Sequence, residues 1–176
     1  MIFTETPLKG ACLIDPERKE DHRGFFARSW CREEFERHGL DPGLAQINLG
    51  FSGKKGTLRG MHYQVAPDAE IKVVRCTSGA IFDVIIDLRP DSETLGKWFG
   101  VELNCRNRSM LYVPEGFAHG YQTLESNSEM YYMTSKAYAQ KSARGCRYND
   151  PAFGIAWPLP VECISDADAS WPDYRT

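Results

Sequence analysis

The stretch IKVVRCTSGAIFDVIIDLR, residues 71–89, carries two apolar runs, 71–76 and 80–88, parted by Ser78-Gly79. Each run is too short for a buried helix and is rich in Val and Ile, whose branched side chains favour a pleated backbone. Together they predict a β-hairpin. The segments WFGVEL, SMLYVP, GYQTL and EMYYMTS follow, each bounded by Gly, Asn, Pro or Ser. Five or six short strands with turns every 8–12 residues predict an antiparallel sandwich or jelly roll. One helix is expected over Trp30–His38, where Cys31, Phe35 and His38 share a face and Gly39 supplies the stop. The C-terminal stretch, with Pro151, Pro158, Pro160 and Pro172, is expected to lie irregularly across the sheet surface. No linker divides the chain, so residues 1–176 are expected to form one domain.

Composition narrows the function classes. The formal net charge is −3, so no basic excess points to nucleic acid or to an anionic membrane, and any bound anion must meet a local basic cluster. Aromatic residues reach 12%, a number of rings that can fill a β-core or supply stacking surfaces. The 6 cysteines are scattered without a C-x-x-C pair, the N-terminus lacks a signal peptide's apolar core, and no run approaches a membrane span. The expectation is reduced thiols in a cytoplasmic protein.

Four clusters could carry chemistry. In GTLRGMHYQ, Arg59 and His62 have opposite parity on a strand unless a bulge at Gly60 re-aims one of them. The alternative is an edge strand with a solvated Arg and a hydrogen-bonded His. In EIKVV, Lys72 lies in an apolar strand, either solvated or buried and functional. Tyr131-Tyr132 must place one ring inward and one outward. PEGFAHG follows the apolar strand SMLYV, and its P-x-G-x-x-H spacing resembles the second motif of the cupin superfamily. Gly56-x5-His62 resembles the start of the first cupin motif, although His62-Tyr63-Gln64 replaces the H-x-H of metal-binding members. A metal-dependent cupin oxygenase or isomerase using His62, Glu70 and His119 is therefore a second reading, and a non-catalytic sugar-binding cupin a third.

Taken in order, D-x-R-G-F-F, Q-x-N, G-T-L-R-G-M-H-Y-Q, K-V-V, D-V-x-x-D-L-R, P-x-G-F-A-H-G, a Tyr-rich strand, N-D-P, W-P and S-x-x-D resemble the dTDP-4-dehydrorhamnose 3,5-epimerase family from about residue 15 to residue 170. The resemblance implies a mainly β, cupin-type jelly-roll sandwich with few short helices. It also implies a metal-free, cofactor-independent epimerase of a nucleotide-diphosphate 4-keto-6-deoxy sugar. His62 matches the general base, Asp168 the carboxylate behind it, Tyr132 the acid on the opposite face and Lys72 the cation near the C4 oxygen. His119 matches a supporting polar residue. Arg23 and Arg59 match the diphosphate contacts, Phe26 and Tyr138 the rings around the base, and Gln46 and Asn48 the amides at its edge. A homodimer is implied, its sites completed by the partner's N-terminal segment. Five positions depart from the family pattern: Arg28 for Glu, Gly50 for Ser, Glu70 for Gln, Met133 for Lys and Ala167 for a basic residue. They leave open a CDP or GDP sugar and inversion at one centre only.

Overall fold

The computed structural model describes residues 1–174. Among them, strands β1 (Ile2–Glu5), β2 (Cys12–Asp15), β3 (Lys19–Asp21) and β4 (Gly24–Phe26) precede helix α1 (Arg32–Arg37). Then come β5 (Gln46–Ser52), β6 (Leu58–Gln64), β7 (Lys72–Ser78), β8 (Ala80–Asp87) and β9 (Trp98–Asn104). The chain continues through β10 (Met110–Val113), β11 (Phe117–Thr123), β12 (Ser128–Thr134) and β13 (Ala143–Gly145), and then α2 (Asp166–Ala169). A six-stranded sheet, β1-β2-β10-β7-β12-β5, faces a five-stranded one, β13-β6-β11-β8-β9, and every pairing within them is antiparallel. This is the expected sandwich, with more strands than the apolar runs announce. The additional ones are short or half-polar: β5 alternates exposed Ile47, Leu49 and Phe51 with its partly buried and buried positions, so it lacks a continuous apolar run.

The expected hairpin at Ser78-Gly79 does not form. β7 pairs with β10 and β12, whereas β8 pairs with β11 and β9, so the chain crosses from one sheet to the other. One residue separates the two strands, fewer than the two that the tightest hairpin loops use. Gly79 turns this corner at φ +70°, where an added Cβ would lie 2.4 Å from Ser128 Oγ. Apolar length alone could not tell a hairpin from a sheet-to-sheet corner.

Three clusters of buried side chains hold the layers. Val74, Cys76, Ile81, Ile85, Leu103 and Leu111 fill the space between the sheets. On the outer face of the six-stranded sheet, Phe35 packs with Ile14, Val73, Tyr112 and Met133. Helix α1 has six residues, too few to be stable alone, and is held by Phe35, whose complete burial contributes about 2–3 kcal/mol. It is shorter than expected, with Cys31 as its N-cap, His38 as its C-cap and Gly39 beyond at φ +69°. His38 instead stacks on Phe3, centroids 3.9 Å apart. Across the five-stranded sheet lies the proline-rich C-terminal stretch, with Phe153, Ile155 and Trp157 packed near Met61, Val84 and Ile86, as anticipated.

The hairpin of β3 and β4 pairs with neither large sheet. Phe25 anchors it, with the Arg18 and Arg108 guanidinium groups 4.9 and 5.0 Å from its ring centroid.

Candidate active site

Strand β6 resolves the parity conflict between Arg59 and His62 through a bulge. His119 lies opposite His62 and Tyr121 opposite Arg59, so two residues of β6, Gly60 and Met61, oppose the single Gly120 of β11. Gly60 adopts φ +130°, and a Cβ there would stand 2.5 Å from the Gly120 Cα. The bulge turns both Arg59 and His62 into one cavity, which Lys72, His119, Tyr132 and Asp168 also line. An adjoining hollow of about 540 Å³ shares His62, Lys72, Tyr132 and Asp168 and adds Gln46, Asn48 and Tyr138. A volume of that size suits a small-molecule site.

The side chains reach this cavity from both layers. His62 and His119 come from the five-stranded sheet, Lys72 and Tyr132 from the six-stranded sheet, and Asp168 from α2. His62 Nε2 lies 2.7 Å from Asp168 Oδ1, and Gly60 N–H donates to Asp168 Oδ2 at 3.2 Å. Ser165 caps α2 by accepting the Asp168 N–H at 3.1 Å, which holds the carboxylate behind the imidazole. Burial pushes the Asp168 pKa up, but hydrogen bonds from His62, Gly60 and Ser165 outweigh it and hold the carboxyl below its ordinary value. His119 forms a second such pair, its Nε2 2.8 Å from Asp83 Oδ1, with both groups buried. Lys72 Nζ donates to the His62 carbonyl at 3.2 Å and pairs with Glu70 at 3.3 Å. Burial first, and then the Glu70 carboxylate, raises the pKa of the Tyr132 phenol, which keeps it protonated near neutrality.

Around the adjoining hollow, Gln46 Nε2 donates to Asn48 Oδ1 at 3.3 Å, and Gln46 Oε1 accepts the Tyr138 N–H at 2.9 Å. The Tyr138 ring stands 66% exposed at the rim. Arg59 Nε donates to Ser52 Oγ and Nη2 to the Phe51 carbonyl. Two residues expected at the substrate are not brought there within one chain. Arg23 pairs with Asp21 at 2.6 Å on the exposed hairpin, and Phe26 lines a separate hollow beside Glu17, Lys19 and Arg28.

Of the three positions in the metal-cupin reading, each is engaged elsewhere: His62 by Asp168, His119 by Asp83, and Glu70 by Lys72 and Gln64. Among the described residues, no three His, Cys, Asp or Glu side chains converge as a donor set, so the geometry does not fit that reading. Sequence reasoning missed Asp83, Arg144 and Trp171 as members of the site, and named Gln64 only within the cluster GTLRGMHYQ without a role. Asp83 had a legible signal, a carboxylate inside the apolar run IFDVIID; Arg144 is brought in by the pairing of β13 with β6 and Trp171 by the C-terminal segment, while Gln64 lies two residues after His62 on β6.

The departures sort by position. Met133 packs on the outer face of its sheet, away from the cavity that Tyr132 lines. Arg28 donates to Glu34 at 2.8 Å, so its reversed charge is met locally. Gly50 lies on the cavity wall, where a Cβ would come 3.2 Å from the Tyr121 hydroxyl. Ala167 and Glu70 line the adjoining hollow.

A histidine on one sheet backed by a carboxylate from α2, and a lysine and a tyrosine on the other sheet, around one cavity in a cupin-type sandwich, define a class of acid–base enzyme that needs groups on two faces of its substrate. The dTDP-4-dehydrorhamnose 3,5-epimerase family model matches residues 5–176, and the chain belongs to that family, an isomerase family of carbohydrate epimerases. It is 40% identical to dTDP-4-dehydrorhamnose 3,5-epimerase of Sinorhizobium fredii, over 98% of this chain and 89% of that one. The crystal structure of the enzyme of that name from Elizabethkingia anophelis superposes with a TM-score of 0.96 at 36% identity, covering 99% and 96% of the two chains. ChmJ, a 3′-monoepimerase from Streptomyces bikiniensis in complex with dTDP-quinovose, matches with a TM-score of 0.87 at 32% identity, over 96% and 85%.

Proposed function

We propose that this chain epimerises a nucleotide-diphosphate-linked 4-keto-6-deoxyhexose at C3, C5 or both, without a cofactor. The observation that carries the reading is the placement of His62 and Tyr132 on different sheets around one cavity that also holds Lys72. A hydrogen on C3 or C5 is acidic because its removal leaves an enolate delocalised onto the C4 oxygen. His62 takes that proton, and Asp168 stabilises the imidazolium that forms. Lys72 offers the ammonium that stabilises the enolate oxygen. Tyr132 then delivers a proton to the opposite face, which inverts the carbon. The imidazolium and the tyrosinate reset by exchange with water, for which His62, with 47% of its side chain exposed, is open. Arg59 addresses the diphosphate, and Gln46, Asn48 and Tyr138 the base. His119, fixed by Asp83, supports the wall.

The test is proton exchange in D2O with dTDP-, CDP- and GDP-linked 4-keto-6-deoxy sugars, reading C3 and C5 separately by NMR. Deuterium is expected at one or both positions with at least one nucleotide. No incorporation with any of the three would overturn the reading. Exchange confined to C3 would place this chain with the 3′-monoepimerase rather than with the double epimerases.

A second copy of the chain is expected to complete the site. On one face β5, at the edge of its sheet, exposes Ile47, Leu49 and Phe51, at 46%, 67% and 58%, while the β3–β4 hairpin holds Phe26 71% exposed and Arg23 outside the site. An apolar row of this kind on an edge strand is a surface that wants a partner. In the homodimer, the partner subunit's Arg23 and the partner subunit's Phe26 reach the nucleotide. Mixing the double variant Arg23→Ala/Phe26→Ala with His62→Asn is then expected to restore about a quarter of parent activity, because half the dimers gain one complete site. Mixtures no more active than the separate variants would exclude sharing.

A further inference from the structure

Lys72 is 7% exposed, and burial pushes its pKa below the ordinary lysine value. An ammonium withdrawn from water loses several kcal/mol of hydration unless a counter-charge meets it. The titratable groups around it are Arg59 and His62 of β6, Asp83 of β8, His119 of β11, Tyr132 of β12, Asp168 of α2 and Glu70 just before β7. Asp168 is engaged by His62 and Asp83 by His119. Among the described residues, Glu70 is the acidic side chain that reaches the ammonium, with Oε1 3.3 Å from Nζ, beside the neutral His62 carbonyl at 3.2 Å.

Glu70 is itself held. Gln64 Nε2 donates to its Oε2 at 2.9 Å and to the Asp68 carbonyl at 2.9 Å, while Gln64 Oε1 accepts the Ala139 N–H at 2.6 Å. The carboxylate thus lies between Lys72 of β7 and Gln64 of β6, which is itself tied to the loop after β12, and only a tenth of its side chain is exposed. A glutamine here, the residue usual in the family pattern, could take the same contact from Gln64 but would bring no charge to Lys72. We propose that Glu70 is a positioning residue, which keeps Lys72 protonated and holds its Nζ in the cavity for the substrate carbonyl. The inference rests on the role given to Lys72 above. Its physical basis is Coulombic: a carboxylate favours the charged form of a nearby amine and also disfavours ionisation of a nearby phenol. One group in this position therefore supports the working states of both Lys72 and Tyr132.

The test compares the parent with E70Q and E70D, following the Lys72 amine by NMR in 15N-lysine-labelled protein, with K72R used for assignment. E70Q keeps the contact with Gln64 and loses the charge, so its Lys72 midpoint is expected to fall by about one pH unit or more. Activity that needs the ammonium is lost as pH rises through that midpoint, so the alkaline limb of kcat should move down by the same amount. E70D keeps the charge on a shorter arm and should show a smaller shift in the same direction. If E70Q does not fold, the E70D midpoint decides. An unchanged Lys72 midpoint overturns the proposal, whatever happens to kcat. A midpoint that falls while the limb stays in place supports the ion pair and counts against the role of Lys72 in the reaction.

Discussion

Replacing His62 by Asn is expected to lower kcat by about a thousandfold, the middle of the range that a positioned general base supplies. Asparagine can still donate to Asp168 Oδ1, so the 2.7 Å contact need not leave a buried carboxylate without a partner. The imidazole is also nearly half exposed, and its loss removes little packing. Thermal stability should therefore stay within about 1 kcal/mol of the parent, and substrate affinity should change little. The measurement is steady-state turnover together with a melting curve. A rate within tenfold of the parent would take His62 out of the base role. A collapse of the melting temperature would mean that its contacts are structural.

Tyr132→Phe should separate the two halves of the reaction. The phenol is needed to return a proton to the opposite face, not to remove the first one. Epimerised product should fall by about a hundredfold or more, while deuterium exchange with retention continues on the His62 side. The ring packs against the inter-sheet cluster, and phenylalanine keeps that packing, so the fold should persist. NMR of the sugar after incubation in D2O reads both outcomes at once. Loss of exchange along with epimerisation would show that Tyr132 acts before proton removal. Retention of both would move the acid to another group.

Much of the site was legible because its residue types are unusual where they stand. A lysine in EIKVV, a histidine after a strand glycine, and a charge in IFDVIID all conflict with the surrounding apolar pattern. Such conflicts gather at functional positions. The bulge at Gly60 was legible as a condition, since Arg59 and His62 could share a face only if it existed. What could not be read was which strands pair. Ser78-Gly79 has the composition of a hairpin turn, and only pairing partners distant in sequence make it a corner between sheets. Glu70 shows the same limit in part: its place two residues before Lys72 is plain in the sequence, but its contact with Gln64 depends on how β6 and the segment before β7 meet.

By itself, the amino-acid order determined a β-sandwich of short strands, a helix at Phe35 and the set of residue types that acid–base chemistry requires. The sandwich and the helix follow from local properties, branched side chains and glycine and proline punctuation, while the acid–base set follows from ordered motifs that resemble one family. Only the tertiary structure decided that His62 stands on one sheet and Tyr132 on the other, that Asp168 closes on the imidazole from a four-residue helix 106 positions away, and that Arg23 and Phe26 lie outside the site of their own chain. Each of those is a distance between residues remote in sequence. Such distances come from the pairing and packing of whole layers, which no local pattern encodes.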